Sequence, residues 1–491
     1  MRLSELLSVL PEAKGLPALP DLEVPAVVYD PLRVVPGAVF VAINVYTQQD
    51  KVEIPDGHDK MGEAVARGAA VVVVQRDQHV PTPAVKVQVT DSRAALALLA
   101  NKFYGYPSQP LKLIGVTGTN GKTTTTHIVE SILLQKTGVG LIGTLYYKIN
   151  GVIHQSKDTT PEPPDLHAIF RRMVDEKVSY CVLEVSSHGI DFHRVDGCQF
   201  DVAVFTNLTQ DHLDYHGTIE NYRRTKMRLF EWLAADKHAV VNRDDPSADY
   251  FIQATRANVL TYGVGKPADL MARDIRLSVR GTEYQLCTPA GTIPVHMRLL
   301  GMFNVYNALA AAGAAFSQGF DLETIKQGLE RPIRVAGRFE LIERGQDFTV
   351  VVDYAHTPDG MTNVLTLARS LQPNRVITVF GCGGDRDKEK RPIMGRIAGQ
   401  MSDLVVVTAD NPRNEDPAQI AEEIVAGMDA VPHKVILDRR EAIAYALRQA
   451  RPGDIVMLLG KGHESTQTLK DRTVPFNDAE VAAELLDELA A

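Results

Sequence analysis

Apolar runs of strand length alternate with segments of helical periodicity along the first part of the chain. The strand-like runs are residues 35–43, 69–74 and 85–89, and the helix-like segments are residues 61–67 and 92–102. Strands favour short β-branched runs, whereas helices repeat their apolar positions every three to four residues. A Gly-Tyr-Pro-Ser stretch at residues 105–108 is typical of a turn and ends the alternation. The pattern predicts an α/β domain over residues 1–106.

The next part of the chain begins with an apolar strand, residues 111–116, that leads through a Gly-rich turn into a helix-like segment, residues 123–134. The segments that follow are predicted strands at residues 180–185, 202–205 and 238–241, short alternating β segments at residues 268–298, and helices at residues 304–317 and 322–329. Arg331 and Pro332 then form a boundary signal. We predict a central domain over residues 107–331, built on a mainly parallel sheet.

Strands and helices alternate regularly in the last part of the chain. The predicted strands are residues 348–353, 375–380, 404–408, 434–436 and 454–459, and the predicted helices are residues 361–371, 391–400, 417–428 and 440–448. Such alternation is typical of a parallel sheet with helices on both faces, which binds ligands at the carboxyl ends of its strands. We predict a Rossmann-like, doubly wound domain over residues 332–491, which makes the chain an α/β protein of three domains.

Composition and charge exclude several classes of function. The 491 residues are 45% hydrophobic and 23% charged, as in globular proteins, and the formal net charge of −9 disfavours binding to nucleic acid. The four cysteines form no CxxC pair, which argues against a disulfide framework or a zinc knuckle. No apolar run approaches the ~18 residues of a membrane span, and no signal peptide is recognised. We expect a cytoplasmic protein and a monomer.

The strongest chemical motif is the sequence GTNGKT at residues 118–123, between a predicted strand and a predicted helix. In that context backbone N–H groups cradle phosphate, Lys122 supplies positive charge and the Thr123 hydroxyl can bind Mg²⁺. The alternative, an ordinary Gly-rich turn, gives these residues no shared use. Val116 stands where the general pattern has a glycine, so the loop differs from that of GTPases and motor ATPases. The motif predicts a nucleotide-phosphate site of variant form.

Polar side chains follow two further predicted strands of the central domain. Glu184 lies at the end of the strand at residues 180–185. The polar residues that follow the strand at residues 202–205 are Asn207, Asp211, His212, Asp214 and His216. Because the carboxyl ends of parallel strands meet at one edge of a sheet, both groups would lie where Mg²⁺ is held. The alternatives are a glutamate paired with a lysine, and histidines with a structural role.

Six motifs, in the family's order, resemble those of the Mur ligase family. They are TGTNGKT at residues 117–123, DTTP at 158–161, EVSSH at 184–188, NLTQDHLD at 207–214, GMFN at 301–304 and DYAHTP at 353–358. The resemblance extends over nearly the whole chain. It implies an ATP-dependent ligase that forms an amide bond in peptidoglycan synthesis.

The resemblance implies that ATP phosphorylates the D-Glu side-chain carboxylate of UDP-MurNAc-L-Ala-D-Glu, and that an amine then displaces the phosphate. Asn304 would contact the adenine, Arg338 the phosphates and Asp353 the ribose. The implied ATP-binding residues are Gly118, Thr119, Asn120, Gly121, Lys122, Thr123, Thr124, Asn304, Arg338 and Asp353. Because Arg338 and Asp353 lie in the predicted third domain, catalysis would require that domain to close onto the central one.

The implied catalytic residues are Lys122, Glu184, His212 and Lys226. Thr123 and Glu184 would bind Mg²⁺, and His212 would assist at the metal site. Lys226 alone would be interpreted as a solvated helix lysine. The resemblance implies instead that it is carbamylated, which turns the cation into a carboxylate-like ligand for a second Mg²⁺. ATP and Mg²⁺ are therefore the implied cofactors.

The sugar-peptide substrate is implied to contact five residues, each of which alone would be interpreted as a turn or surface residue. They are Asp158, Thr159, Thr160, Ser186 and Arg194. The N-terminal uridine pocket departs from the family pattern, because Pro31 and Leu32 stand between Asp30 and Arg33 where the family often has one serine. Residues 44–55 also form a longer segment than is typical of the family.

Residues 410–413, Asp-Asn-Pro-Arg, follow a predicted strand and would otherwise be interpreted as a loop with an exposed arginine. Within the family they resemble the recognition motif for meso-diaminopimelate, whose additional carboxylate suits a guanidinium. The implied diaminopimelate-binding residues are Arg386, Asp410, Asn411, Pro412, Arg413, Gly460 and Glu464.

Two kinds of alternative remain open. A ligase of the same chemistry could add L-lysine, or could add glutamate to folate, but the Arg413 motif argues against both. A nucleotide-dependent switch or motor would form no amide, and Val116 and the nucleotide-contacting third domain argue against that class. Release of ADP that requires both the muramoyl dipeptide and an amino acid would separate the ligase from the switch.

Overall fold

Three main sheets and a short hairpin make up the protein in a computed structural model that describes residues 1–13, 22–43, 56–278, 281–333, 335–428 and 431–490. Residues 44–55, the segment noted above as longer than is typical of the family, lie outside the described residues. None of the helices within those ranges combines the length and apolar character that crossing a membrane would need. The three sheets confirm the predicted α/β class.

The first sheet is small and parallel. Its strands are β1 (Val27–Val28), β2 (Val39–Val41), β3 (Val71–Val74) and β4 (Val85–Gln88), and its helices are α1 (Leu3–Leu7), α2 (Met61–Ala66) and α3 (Ser92–Phe103). The strands pair in chain order, and β3 is buried along its whole length. The predicted strand over residues 35–43 is wrong in its first half. Gly37 adopts φ +90°, a turn conformation, so the strand begins only at Val39.

The second sheet has a parallel middle and antiparallel edges. Its strands are β5 (Lys112–Thr117), β6 (Val139–Ile142), β7 (Tyr147–Ile149), β8 (Val152–His154), β9 (Tyr180–Glu184), β10 (Phe200–Phe205), β11 (His238–Asn242), β12 (Asn258–Gly263), β13 (Leu270–Ser278), β14 (Gly281–Thr288) and β15 (Gly291–Met297). They lie in the order β15-β14-β13-β12-β11-β10-β5-β9-β6-β7-β8, and the strands from β13 to β6 run parallel. Strand β5 therefore lies in the middle, between β9 and β10.

Helices cover both faces of this central sheet. They are α4 (Lys122–Leu133), α5 (Pro163–Asp175), α6 (Ser187–Asp191), α7 (Leu213–His216), α8 (Ile219–Glu231), α9 (Ala248–Ala254), α10 (Met302–Ser317) and α11 (Leu322–Glu330). Helices α4, α10 and α11 pack on one face, and α5, α8 and α9 pack on the other. The alanines of α10 let it approach the sheet closely. A Cβ added to its Gly313 would lie 2.8 Å from Val240 Cγ1.

The third sheet is parallel except at one edge. Its strands are β16 (Glu340–Leu341), β17 (Thr349–Asp353), β18 (Val376–Phe380), β19 (Leu404–Val407), β20 (His433–Val435) and β21 (Ile455–Leu459). The helices of this part of the chain are α12 (Pro358–Ser370), α13 (Lys390–Met401), α14 (Pro417–Val425), α15 (Arg439–Gln449) and α16 (Asp478–Ala490). The separate hairpin consists of β22 (Thr466–Thr468) and β23 (Thr473–Pro475). The order is β16-β17-β21-β18-β19-β20, and only β16 runs antiparallel. Helices α12 to α14 cover one face and α15 and α16 the other, which confirms the doubly wound prediction.

Candidate active site

The phosphate loop connects the end of β5 to the start of α4. Gly118 (φ +149°) and Gly121 (φ +85°) adopt backbone conformations that side chains disfavour, and a Cβ on Gly118 would lie 1.9 Å from Thr206 Oγ1. The neighbouring strand end holds the loop: Thr119 N donates to Asn207 O and Asn120 N to Asn207 Oδ1, both at 2.9 Å. The loop is thus shaped by glycine and fixed by β10.

The half-buried Lys122 and the buried Lys226 converge on this loop. Lys122 Nζ donates to the carbonyls of Gly118 and Thr119 at 2.9 and 2.8 Å, and Lys226 Nζ donates to the same Gly118 carbonyl at 3.0 Å. Burial lowers the pKa of both amines, and the charge of Lys122 lowers the pKa of Lys226 further. Lys226 is only 1% exposed and lies 4.5 Å from the Tyr222 ring centroid. The interpretation of Lys226 as a solvated lysine is therefore wrong.

Glu184 lies beside the start of α4, at the end of β9. Its Oε2 accepts hydrogen bonds from Thr123 Oγ1 and Thr144 Oγ1, each at 3.0 Å, and its Oε1 accepts one from Thr144 N at 3.0 Å. Its partners are therefore hydroxyls and an amide, rather than the lysine that the alternative interpretation required. A carboxylate and a threonine hydroxyl at this distance form an oxygen donor pair of the kind that Mg²⁺ prefers. Within the described part of the chain, no three His, Cys, Asp or Glu side chains form a metal-binding group.

Histidines and an aspartate form a second cluster next to the loop. His212 adopts φ +54° and lies with its ring 5.0 Å from that of His188, and His216 Nε2 is 3.0 Å from Ser187 Oγ. Burial, reinforced by neighbouring positive groups, lowers the pKa of His188 to about 2, and burial also lowers the pKa of His212. Burial alone would raise the pKa of Asp211, but His212 and other nearby cationic groups lower it instead. The cluster thus places a carboxylate whose pKa is lowered beside histidine rings whose pKa values are lowered as well.

A cavity of about 400 Å³, which we call the nucleotide cavity, lies between the second and third sheets and is of a size typical of small-molecule sites. Its lining includes Asn120, Gly121, Thr124, Asn304, Arg338 and Asp353. It adjoins a smaller cavity of about 110 Å³ whose lining includes Lys122, Thr123, Glu184, Asp211 and His212. Except for Gly118, the residues predicted to bind ATP therefore line one or both of two adjoining cavities, whose linings share Asn120, Gly121 and Arg338.

The third domain contributes two charged groups to these cavities. Arg338 Nη2 donates to Thr123 Oγ1 at 3.4 Å, which joins the domain to the phosphate loop. Both oxygens of Asp353 accept backbone hydrogen bonds, from Phe339 N at 2.6 Å and Ala355 N at 2.8 Å. Burial raises the pKa of Asp353, although Arg338 opposes that shift.

A second polar group lies at the carboxyl ends of β19 and β21. Asn411 Oδ1 accepts from Lys461 Nζ at 3.2 Å and from Thr468 N at 2.9 Å, while Asn411 Nδ2 donates to Glu464 Oε2 at 2.8 Å. Two donors on Oδ1 fix the orientation of the amide. Burial and the nearby Asp410 raise the pKa of Glu464. The group therefore presents an amide donor beside a carboxylate.

The two arginines predicted to bind a carboxylate lie on adjacent loops of this region. Arg413 adopts φ +51°, and its Nη1 donates to Gly384 O at 2.9 Å, which ties it to the loop that carries Arg386. Arg386 Nη1 donates to Asp385 O at 3.0 Å. A Cβ on Gly460 would lie 2.7 Å from Asp410 Oδ2, so this close approach requires glycine.

The residues predicted to bind the sugar-peptide also lie together. Thr160 Oγ1 donates to Glu184 O at 2.9 Å and lies 3.2 Å from Ser186 Oγ. Thr159 Oγ1 is 3.1 Å from Thr144 Oγ1, and Arg194 Nη1 donates to Thr160 O at 2.8 Å. Arg194 Nη1 is also 3.2 Å from Asp158 Oδ1. This group is therefore continuous with the Glu184 site.

Comparison with known protein families identifies the family to which the chain belongs. The family model described as the Mur ligase middle domain matches residues 116–315, and the one described as the Mur ligase glutamate ligase domain matches residues 337–462. Together they cover more than half of the chain. The chain belongs to the Mur ligase family.

This Mur ligase is similar over its full length to curated relatives. A UDP-N-acetylmuramoyl-L-alanyl-D-glutamate--2,6-diaminopimelate ligase from Geobacillus kaustophilus is 47% identical, over 99% of this chain and 100% of that protein. A relative of the same name from Bacillus licheniformis is 44% identical, over 100% of both chains. A solved structure of a ligase of that name is 33% identical, with a TM-score of 0.68 and 100% of both chains covered.

Two residues of the candidate site, Thr144 and Lys461, were not singled out from the sequence, and one contact of Arg33 was also missed. Thr144 follows the end of β6, so the rule that locates polar residues at strand ends could have found it. Lys461 lies inside the segment that holds Gly460 and Glu464, but a buried lysine has no local signature. Arg33, predicted near the uridine pocket, donates to Asp165 Oδ1 at 2.7 Å, a contact that the sequence did not indicate.

Proposed function

We propose that this Mur ligase adds meso-diaminopimelate to the D-Glu side-chain carboxylate of UDP-MurNAc-L-Ala-D-Glu, with conversion of ATP to ADP and phosphate, in peptidoglycan synthesis. The observation that carries the proposal is the cluster of Asn411, Arg413 and Glu464 in the third domain. It brings a guanidinium, a side-chain amide and a carboxylate together at strand ends, which suits an amino acid with an additional carboxylate. The names of the full-length relatives support the same reaction.

The chemistry requires activation of a carboxylate, because an amine does not displace oxide from a carboxylate at neutral pH. The γ-phosphoryl group of ATP is transferred to a D-Glu carboxylate oxygen, and ADP leaves. The diaminopimelate amine then attacks the acyl carbon, an amide bond forms, phosphate leaves and the amine loses a proton. Lys122, the loop amides and Arg338 would stabilise the negative charge that the phosphates carry in the first step, and the contacts of both side chains with the loop support this role.

We propose that Thr123 and Glu184 hold Mg²⁺ with the assistance of His212, and that Lys226, as its carbamate, binds a second Mg²⁺. The 3.0 Å spacing between Thr123 Oγ1 and Glu184 Oε2 supports the first assignment. The burial of Lys226 supports the second, since a lowered pKa favours the neutral amine that reacts with CO₂. Bound there, Mg²⁺ would neutralise phosphate charge during transfer.

Recognition of diaminopimelate rests on complementary charge. Arg413 and Arg386 would grip the distal carboxylate that L-lysine lacks, while Glu464 and Asn411 would hold the ammonium and carboxylate of the other amino-acid centre. Asp410 and Gly460 shape the same pocket through their close approach, and Pro412 sets the turn before Arg413. Asp158, Thr159, Thr160, Ser186 and Arg194 would contact the muramoyl peptide.

We assign these roles to three domains, with boundaries proposed after residues 106 and 331. The first would bind the UDP-sugar, the second ATP and the reacting carboxylate, and the third the amino acid. Two adjoining cavities, each lined by residues of the second and third domains, support the division of the ATP site between these domains.

The test is phosphate release with UDP-MurNAc-L-Ala-D-Glu and, in parallel, meso-diaminopimelate, L-lysine or L-ornithine. We expect release with diaminopimelate to exceed release with the other two. A preference for L-lysine would favour the lysine-adding alternative. ATP hydrolysis that is independent of all three amino acids would favour a nucleotide switch.

A further inference from the structure

Glu162 lies where the N-terminal domain meets the central domain, directly before α5. Its side chain is 2% exposed and lies between two arginines from different domains. Arg93 Nη1, on α3, lies 3.3 Å from each Glu162 oxygen, and Arg194 Nη2 lies 2.9 Å from Glu162 Oε1. One carboxylate therefore binds a guanidinium of each domain.

The central-domain arginine, Arg194, is linked by hydrogen bonds to Glu184 at the end of β9. Arg194 donates to Thr160 O at 2.8 Å, and Thr160 Oγ1 donates to Glu184 O at 2.9 Å. Charged contacts and hydrogen bonds thus run without interruption from Arg93, through Glu162 and Arg194, to the end of strand β9. Rigid networks of this kind can transmit the position of one element to another.

An aromatic ring keeps the two guanidiniums close to each other. Arg93 Cζ lies 4.6 Å and Arg194 Cζ 5.9 Å from the Phe192 ring centroid. Both arginine side chains are nearly buried, at 12% and 5% exposed. Asp158, 3.2 Å from Arg194 Nη1, is a further carboxylate partner of Arg194. Loss of the Glu162 charge would still leave two poorly solvated cations facing each other with one carboxylate fewer between them, which increases their repulsion.

We infer that Glu162 is a positioning residue that couples the seating of the N-terminal domain to the orientation of Arg194 in the sugar-peptide site. The inference rests on the proposed function, because the proposed function assigns both the N-terminal domain and Arg194 to binding of one substrate, the UDP-sugar dipeptide. Binding of that substrate across both domains then stabilises the same ion network that holds Arg194. A purely structural ion pair would instead affect all three substrates through the stability of the fold.

The first test compares Glu162→Gln with wild type, and Glu176→Gln serves as the matched control because Glu176 is an exposed carboxylate at the other end of α5. In Glu162→Gln we expect the KM for UDP-MurNAc-L-Ala-D-Glu to rise about 10-fold or more, the scale of a lost charge-assisted hydrogen bond. The KM values for ATP and diaminopimelate should stay within about 2-fold. An unchanged KM for the sugar-peptide, or an equal rise for all three substrates, would overturn the inference.

The second test uses Arg93→Met, which keeps Glu162 and Arg194, and the double variant Arg93→Met/Glu162→Gln. Arg93→Met should raise the sugar-peptide KM selectively, by about 3-fold, and it also serves if Glu162→Gln does not fold. Since removing Arg93 relieves the repulsion, the double variant should be no worse than Glu162→Gln alone. If the two effects simply multiply, the residues act independently and the coupling is refuted.

Equilibrium binding of UDP-MurNAc-L-Ala-D-Glu to each variant separates the inference from the proposed function. Wild type that binds this compound but releases no phosphate with any amino acid would refute the proposed reaction and leave the Glu162 comparison measurable as a Kd. Active wild type with equal Kd values in Glu162→Gln and Glu176→Gln would refute the coupling alone. Thermal unfolding of each variant checks that the comparison is made between folded proteins.

Discussion

At the scale of single residues, Lys226 shows how burial changes what a side chain can do. Its amine is enclosed by the phosphate loop and the Tyr222 ring, and its pKa is lowered well below that of a solvated lysine. An uncharged amine is a nucleophile, whereas an ammonium is not. The same helix carries Arg224, which is exposed, so one element supplies both the residue and its control.

We predict that Lys226→Ala has almost no ligase activity and that added short carboxylates restore part of it. A small carboxylate can occupy the space of the missing carbamate and supply the same oxygen ligands. Phosphate release measured with and without acetate tests this, with Arg224→Ala as a control that should retain wild-type activity. Full activity of Lys226→Ala without acetate would remove the carbamate assignment.

The role assigned to Arg413, recognition of the distal carboxylate of diaminopimelate, can be tested by a single substitution. Replacing Arg413 by Ala should raise the KM for meso-diaminopimelate about 10- to 100-fold, because a guanidinium–carboxylate contact is worth roughly 1.5–3 kcal/mol. The KM for ATP should change little. Initial rates at varied concentrations of each substrate measure the two effects, and Arg396→Ala, an exposed arginine on α13, is the control. Equal effects on both KM values would contradict the assigned role.

At the scale of elements, the phosphate loop depends on two glycines whose surroundings leave no room for a Cβ. We predict that Gly118→Ala raises the KM for ATP by about 10-fold or more and lowers the melting temperature, because the added Cβ would overlap Thr206 Oγ1 at a positive φ. Gly62→Ala is the control, since Gly62 is a helix residue with no atom near its Cβ position. Gly62→Ala should leave ATP use unchanged and stabilise α2 slightly. Tolerance of Gly118→Ala would contradict this view of the loop.

The loop that carries Arg386 is held by one carboxylate. Glu415 Oε1 accepts from Asp385 N at 2.5 Å and from Arg391 Nη2 at 3.0 Å, and Lys388 Nζ lies 2.9 Å from its Oε2. These contacts, that with Arg391 first, lower the pKa of Glu415 to about 2. A carboxyl whose pKa is lower in the folded than in the unfolded state stabilises the fold above the unfolded pKa and loses that effect as pH falls.

We therefore predict that Glu415→Gln lowers the stability of the fold by an amount that depends on pH. Its melting temperature should lie below that of wild type near neutral pH. The difference should shrink as the pH falls from about 5 towards 2, because the unfolded chain binds a proton at this carboxyl while the folded protein still holds the charge. Thermal unfolding at several pH values measures the difference. Glu422→Gln, an exposed residue of α14, should match wild type throughout. A difference that grows at low pH would contradict the sign.

Local patterns were enough to predict much of the fold and part of the site. The phosphate loop and Glu184 were located because strand, loop and helix are adjacent in sequence. The start of β2 was placed too early, because Gly37, inside the apolar run, adopts a turn conformation and the strand begins after it. Considered without the family resemblance, Lys226 was misinterpreted as a solvated lysine. Its burial depends on the phosphate loop, which lies 108 residues away. The Arg93–Glu162 contact, 69 residues apart, has no local signal at all.

At the scale of the whole molecule, the nucleotide cavity exists because the second and third domains meet. Besides the Arg338 contact, Asn120 Nδ2 on the phosphate loop donates to Asp359 Oδ2 on α12 at 2.8 Å. Gln210 Nε2 adds a weaker contact to Asp387 Oδ2 at 3.4 Å. Contacts of this kind hold a reaction site closed and exclude water from a reactive intermediate.

We predict that Asp359→Ala releases more phosphate than amide product. With the closed arrangement weakened, water reaches the acyl phosphate and hydrolyses it before the amine attacks. Parallel measurement of phosphate and of the tripeptide product gives the ratio, which should be close to one for wild type and for Asp347→Ala, an exposed carboxylate of the same domain. A ratio of one in Asp359→Ala would show that this contact does not control water access.

The close approach of α10 to the central sheet has a consequence for inhibitor design. The helix that carries Asn304 at the nucleotide cavity is packed through alanines, and even its Gly313 has no space for a methyl group. Enlarging a tightly packed position typically costs ~1–3 kcal/mol and displaces its neighbours. A compound that contacts Asn304 or Asn307, the buried α10 residues of the cavity lining, would therefore be hard to escape through enlargement of the alanines or Gly313 behind them, because such changes would displace the same helix that lines the cavity.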